Sequence, residues 1–216
     1  MKRLGEPPYV CLITDGKTTP QNFESKKLET LGAIRDAVAE GVDLIQIREK
    51  ALPARQLFEL VSETVKVLAP FEALVIVNDR ADVAVAAGAD GVHLPENSVP
   101  AEVIRSAFGE RFVVGASTHS IESACAAKAS RADYVFFGPV FETPGKGPPV
   151  GISALKSVCS ALPSFPVIAL GGVDHHNLDE VLEAGAAGIA AIRALNDGAA
   201  REAMLRRLKA SSRLVR

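Results

Sequence analysis

The chain has 216 residues, with 24 Lys+Arg against 26 Asp+Glu and a formal net charge of −2. That balance gives no electrostatic footprint for nucleic acid or an anionic membrane as the main partner, which leaves small molecules as the expected ligands. No apolar run approaches the length of a membrane span, and Met1-Lys2-Arg3-Leu4-Gly5-Glu6-Pro7-Pro8 lacks the apolar stretch of a secretory signal, so a cytoplasmic location is expected. The length suits one α/β domain spanning 1–216, and a homo-oligomer of it is compatible with the composition. Cys11, Cys125 and Cys159 are odd in number and widely spaced, without a metal-ligand pattern, and read as structural thiols.

Short β-branched runs alternate with alanine-rich helical stretches along the whole chain, the pattern of repeated βα units. Strands are expected at 9–14, 44–48, 74–78, 91–94, 112–117, 134–140, 167–171 and 188–192. Helices fall between them, and one more follows the last. Helix starts are marked by Ser120 with Glu122, by Asp174 ahead of the 178–184 run, and by Asn196-Asp197 before a basic final helix. Arg201, Arg206, Arg207 and Lys209 of that helix are expected on a solvated face. The joints Val42-Asp43-Leu44, Ala89-Asp90-Gly91, Ala132-Asp133-Tyr134 and Ala186-Ala187-Gly188 recur at the even-numbered strands. This spacing predicts a single (β/α)8 TIM barrel built from double units.

The second strand carries the strongest functional signal. Side chains alternate along a strand, so Leu44, Gln46, Arg48 and Lys50 share one face while Ile45 and Ile47 share the other with Asp43 and Glu49. A face that runs from apolar to cationic fits a barrel interior that opens into a mouth at its C-terminal end. There Arg48 requires either a carboxylate of its own chain or an anionic ligand.

Other strand ends are polar too: Asn78 and Asp79, His93, Ser117, Thr118 and His119, then Thr143 and Lys146 after the sixth strand. Arg48, Lys50 and Lys146 supply three cations around one mouth, with Asn78, Ser117 and Thr143 as neutral donors. The set suits a ligand with more than one phosphate. Asp79 is placed to hold Mg²⁺, which commonly takes one or two carboxylates and completes its shell with water and phosphate oxygens; it also suits a helix entry, and the roles are compatible. Gly171-Gly172, with a helix expected from Asp174, suits a phosphate seated on backbone N–H groups, although a ligand-free turn fits as well. His175-His176 reads as a surface pair, and His119 as a ligand donor or a helix cap.

Seven stretches in register, Leu12-Ile13-Thr14-Asp15, Gln46-Ile47-Arg48-Glu49-Lys50, Val77-Asn78-Asp79-Arg80, Gly88-Ala89-Asp90-Gly91-Val92-His93-Leu94, Gly115-Ala116-Ser117-Thr118-His119-Ser120, Gly138-Pro139-Val140-Phe141-Glu142-Thr143 with Lys146, and Ala169-Leu170-Gly171-Gly172-Val173, resemble the thiamine phosphate synthase family. The resemblance implies a Mg²⁺-dependent transferase of thiamine biosynthesis that joins hydroxymethylpyrimidine diphosphate to thiazole phosphate. It implies that Arg48, Lys50 and Lys146 act on the diphosphate with Asn78, that Gln46, Ser117 and Thr143 contact substrate, that Asp79 ligates magnesium, and that Gly171 and Gly172 seat the thiazole phosphate.

The chain departs from the family pattern where the second magnesium carboxylate is usual, since that position is Ser98 in Pro95-Glu96-Asn97-Ser98. Gly145 stands where a second Thr is usual, and Arg193 where a Ser is. A related activity, thiazole tautomerase, shares the barrel, but the His its members carry would fall on Pro139, leaving His119 to substitute. A barrel that binds phosphates without turnover is the third reading.

Overall fold

The structure is a computed structural model that describes Lys2 and residues 4–211; the expected N-terminal reading at Met1 and Arg3 lies outside these residues. Eight parallel strands close into a barrel in sequence order: β1 (Tyr9–Ile13), β2 (Leu44–Ile47), β3 (Leu74–Asn78), β4 (Gly91–Leu94), β5 (Val113–Thr118), β6 (Tyr134–Phe137), β7 (Val167–Leu170) and β8 (Gly188–Ala191). The helices are α1 (Phe23–Glu40), α2 (Ala54–Val67), α3 (Ala81–Ala87), α4 (Ala101–Phe108), α5 (Ile121–Ala129), α6 (Gly151–Ala161), α7 (Leu178–Glu183), α8 (Arg193–Asn196) and α9 (Gly198–Ser211). The expected (β/α)8 TIM barrel is therefore the fold, with β1 pairing both β2 and β8 to close the ring. No helix among the described residues is long and apolar enough to cross a membrane.

Strand alternation divides the core in two. Val10, Leu12, Ile45, Ile47, Val75 and Val77 point outward and pack under the helices. Tyr9, Cys11, Ile13, Leu44, Leu74, Ile76, Val113, Tyr134, Phe136 and Ile168 fill the barrel interior. In α2 the buried residues Leu57, Leu60, Val61 and Thr64 recur at the spacing that puts them on one stripe. Burial pushes the Cys11 thiol up and the Cys159 thiol up to about 11, so neither is a ready thiolate at neutral pH.

The internal repeat has a hydrogen-bonding basis. The amides of Asp43, Asp90, Asp133 and Ala187 donate to the carbonyls of Val10, Val75, Val114 and Val167 at 3.2, 2.9, 2.7 and 2.8 Å. In the first three joints the aspartate carboxylate accepts in return from the opposing valine amide, at 2.9 Å for Val10, 3.0 Å for Val75 and 2.7 Å for Val114. Each pair locks the register at the N-terminal rim, where a strand's first amide would otherwise be buried without a partner. Ala187 has no side chain to return the bond. At the third joint Asp133 also receives the buried Arg105 guanidinium at 2.6 Å, while the remaining Arg105 N–H groups donate to the carbonyls of Arg131, Glu110 and Phe112.

Three local expectations are modified. Ser120 caps α5 as expected, but Ser123 rather than Glu122 returns the bond. Asp197 caps α9 by accepting from the Ala200 amide at 2.9 Å, whereas the helix expected from Asp174 begins only at Leu178. Arg201 is not on a solvated face. It is buried and clamps α9 to Glu40 of α1 through two bonds of 2.9 and 2.8 Å, because the helix turns Met204, Leu205 and Leu208 inward on the same side. Arg206 and Arg207 are exposed and paired with Glu202 and Asp179.

The first joint carries a pH signature. Burial pushes the Asp43 carboxyl up to about 7, against the amides of Val10 and Asp43 that favour its charged form. Its folded-state pKa is raised, so its stabilising contribution is complete below an ordinary carboxylate pKa of 3.8 and is lost as pH rises towards 7. Asp43→Asn keeps an acceptor for Val10 without the buried charge. We expect the variant to match the parent near pH 4 and to exceed it above pH 7 by on the order of 1–2 kcal/mol, discounted for the water that still reaches the half-buried side chain. Urea unfolding across this range checks it; a parent whose stability rises relative to the variant between pH 4 and 7 contradicts the reading.

Candidate functional site

The C-terminal mouth of the barrel holds a cleft of about 340 Å³ lined by Gln46, Arg48, Lys50, Asn78, Ser117, Thr143, Lys146 and Gly171. Strand β2 supplies Gln46, and the chain leaving it supplies Arg48 and Lys50, since the strand ends at Ile47 rather than at the expected Arg48. Leu44 is a layer of the barrel interior, Gln46 is buried above it and donates to Asn78 Oδ1 at 3.3 Å, and Arg48 and Lys50 emerge at the rim. The expected division of faces is observed.

Arg48 is anchored by its backbone, whose amide donates to Thr14 Oγ1 at 2.8 Å. The neighbouring Glu49 is buried on the opposite face and accepts from the amides of Gly16 and Thr18 at 3.2 and 3.0 Å. It therefore ties down the loop after β1 and is not the partner of Arg48. Among the described residues no carboxylate pairs with Arg48, Lys50 or Lys146. By contrast Lys27, Arg105 and Arg201, the buried cations of the helical layer, each meet at least one carboxylate.

Asp79 lies just beside this cleft. It lines an adjoining hollow of about 310 Å³ that shares Lys50, Asn78 and Pro95 with the main one. Its φ of +64° is a left-handed conformation uncommon for a residue with a side chain. Its amide is held by the His93 carbonyl at 2.9 Å. Ser98, where the resemblance leads one to expect a second carboxylate, donates its hydroxyl to Asp79 Oδ1 at 3.5 Å. Among the described residues no three His, Cys, Asp or Glu side chains gather as a ready-made metal cage. One carboxylate beside a cationic cleft fits a hard ion that takes most of its shell from water and phosphate oxygens.

The glycine pair divides. Gly171 lines the cleft, while Gly172, with φ +65°, packs against the next loop: a Cβ there would meet Glu142 O and Phe141 Cβ at 2.7 Å. The amides of Asp174 and His176 are taken up internally by Asn177 Oδ1 and Asp174 Oδ1 at 2.9 and 2.8 Å. Thus the expected anion seat at the start of the next helix does not form from these amides, because an Asx turn precedes α7. The His175 and His176 rings lie 3.8 Å apart between centres, tilted by 40°, beside Arg206 and Arg207 and outside the lining of the cleft.

The floor of the cleft contains groups the strand pattern did not single out together. His93 is fully buried, stacked on Phe136 at 4.1 Å between ring centres. Its Nδ1 faces the Tyr134 hydroxyl at 3.2 Å, and its Nε2 faces Ser117 Oγ at 2.9 Å. Burial pushes its pKa down to about 3, which keeps the ring neutral. The signal for Tyr134 was a bulky residue at a joint whose counterparts are Leu44, Gly91 and Gly188, facing Gly115 across the strand pair. At the rim, His119 Nδ1 hydrogen-bonds the Gly138 carbonyl, and its Nε2 lies 3.6 Å from Glu96. Ile13, Phe136, Leu170 and Ile192 supply apolar wall suited to flat rings.

Comparison with known proteins agrees with this geometry. The family described as thiamine monophosphate synthase matches residues 10–195. A thiamine-phosphate synthase of Chlorobium phaeovibrioides is 39% identical over 192 residues, covering 88% of this chain and 87% of that protein. Another, of Methanoculleus marisnigri, is 44% identical over 164 residues, covering 74% and 77%. The solved thiamine phosphate pyrophosphorylase of Pyrococcus furiosus superposes with a TM-score of 0.80 at 31% identity, covering 94% of this chain and 96% of that one. The chain belongs to the thiamine monophosphate synthase family.

Proposed function

We propose that this chain is a thiamine-phosphate synthase, a transferase that joins hydroxymethylpyrimidine diphosphate to thiazole phosphate and releases diphosphate. The observation that carries the reading is the set of three cations, Arg48, Lys50 and Lys146, around one cleft, none of them paired with a carboxylate among the described residues, while the acid that lines the cleft, Glu96, lies against His119. Like charges held together without an internal partner are stabilised by an anionic ligand.

The chemistry follows from what the cleft offers. The C–O bond between the pyrimidine methylene and diphosphate breaks, its electron pair leaving with the diphosphate, and the thiazole nitrogen lone pair forms the new C–N bond. Positive charge builds on the methylene while negative charge builds on the departing oxygens, where fixed cations lower the barrier. Arg48, Lys50 and Lys146 hold that group, and Asn78, fixed by Gln46, orients it. The thiazole nitrogen has no proton to lose, so no general base is required, in keeping with a neutral His93. Asp79 would hold Mg²⁺ beside the diphosphate; the ion supplies further positive charge against the leaving group. In the tautomerase reading the three cations have no second phosphate to bind.

Incubation with both substrates and Mg²⁺ should yield thiamine phosphate and diphosphate in equal amounts; isomerisation of thiazole carboxylate phosphate without that product would overturn the assignment. Arg48→Ala should weaken diphosphate binding by about 1.5–3 kcal/mol, the loss of one charge-assisted contact, with the thermal midpoint within a few degrees of the parent because the guanidinium makes no hydrogen bond or ion pair among the described residues. Calorimetry with diphosphate decides this, and unchanged affinity removes Arg48 from the site. Ser98→Asp should lower the Mg²⁺ concentration needed for half-maximal product formation, and Asp79→Asn should raise it, both by roughly tenfold for one carboxylate gained or lost near the ion. Product formation indifferent to Asp79 would place the ion elsewhere.

A further inference from the structure

The strongest unassigned feature is the buried line Tyr134, His93, Ser117 beneath the cleft. Tyr134 sits in the first layer of β6, and its ring crosses over Gly115 of β5. A Cβ at Gly115 would lie 2.2 Å from Tyr134 Cζ and 2.5 Å from the hydroxyl, so the glycine is what admits the ring. Tyr134 is fully buried, and among the described residues its hydroxyl has one hydrogen-bond partner, His93 Nδ1. His93 is buried against Phe136, its two ring nitrogens face hydroxyls alone, and among the described residues no carboxylate pairs with it to balance a charge, so the ring carries a single proton.

Two arrangements of protons are available. If Nδ1 carries the proton, it donates to Tyr134, and the phenol proton is left in the barrel interior with no acceptor. A buried donor without a partner costs about 1–3 kcal/mol. If Nε2 carries it, the Tyr134 hydroxyl donates to Nδ1, Nε2–H donates to Ser117 Oγ, and every polar atom in the line is satisfied. In that second arrangement the Ser117 oxygen already accepts a bond from below. Its own proton is then free to point into the cleft.

We propose that Tyr134 is a positioning residue that fixes His93 as the Nε2–H tautomer and thereby presents Ser117 to the cleft as a hydrogen-bond donor, suited to an anionic oxygen of the substrate. The tautomer is independent of what the cleft binds, whereas the role of the Ser117 proton rests on the synthase reading. In this reading Ser117 is a directed donor, and the neutral histidine moves no proton in the reaction. A preset donor meets the leaving diphosphate without having to reorient during the reaction.

Ring nitrogens of the ¹⁵N-histidine-labelled parent decide the first half. The His93 ring is expected to show a pyridine-like Nδ1 and a pyrrole-like Nε2 bearing the proton; the opposite pattern overturns the proposal without any variant. Tyr134→Phe is expected to give a mixture of tautomers and to weaken diphosphate binding about 3- to 10-fold, the range for one hydrogen bond lost or misdirected. In a Ser117→Ala background the same change should leave affinity unmoved, because the donor it acts through is gone. Equal losses in both backgrounds would mean that Tyr134 acts through packing alone and would overturn the positioning role. A parent with the expected tautomer that binds no diphosphate would refute the synthase reading while leaving the tautomer assignment standing.

Discussion

Barrel closure in this chain depends on the register set where each double unit begins. Asp43, Asp90 and Asp133 bond the opposing valine from both backbone and side chain. A slip of one residue would turn every inward side chain outward. Fixing the register at the N-terminal rim therefore fixes which residues look up into the mouth. Gln46, Arg48 and Lys50 reach the cleft because Leu44 is held in the layer below by the pairing of β2 with β1 and β3.

The same alternation separates charges that sequence alone places side by side. In Arg48-Glu49-Lys50 the acid turns to the opposite face, where two amides of the loop after β1 satisfy it. The cations are left lining the cleft. Water screens their repulsion enough for the empty barrel to remain folded, and an entering anion replaces that water at a site already formed. Elsewhere buried cations are neutralised at home: Lys27 is surrounded by Glu24, Glu59 and Glu63, and Arg201 by the Glu40 carboxylate. The contrast separates cations that support the fold from cations available to a ligand.

Period-two alternation and the recurring joints made the eight strands and their inward faces legible in the sequence, because parallel strands have few ways to bury both faces. The cleft residues from strand ends were legible for the same reason. Contacts between distant loops were not. Gly171 and Gly172 both pack against the loop after β6, on Pro139 and Phe141 respectively, yet of the two Gly171 is the one that lines the cleft. Arg201 looked solvated because its partner, Glu40, is 161 residues away. In the sequence Tyr134 reads as the start of a strand alone, and the structure shows its ring crossing Gly115 so that its hydroxyl reaches His93.

Ser98 in place of a carboxylate is best understood from the charges around it. A second acid beside Asp79 would hold a cation more tightly in the empty site, but it would also set one more negative charge against the incoming diphosphate. In the cleft itself Arg48, Lys50 and Lys146 outnumber the one acid, Glu96, and Asp79 lies in the hollow that shares Lys50 with it. Under the proposed function such a site would favour a diphosphate, and Asp79 would be the one carboxylate offered to an ion beside it. The Ser98 hydroxyl, a donor to Asp79 at 3.5 Å, keeps that carboxylate oriented without adding charge. On the proposed reading, a serine at this position would leave an ion bound by Asp79 more dependent on the substrate's phosphate oxygens than two carboxylates would.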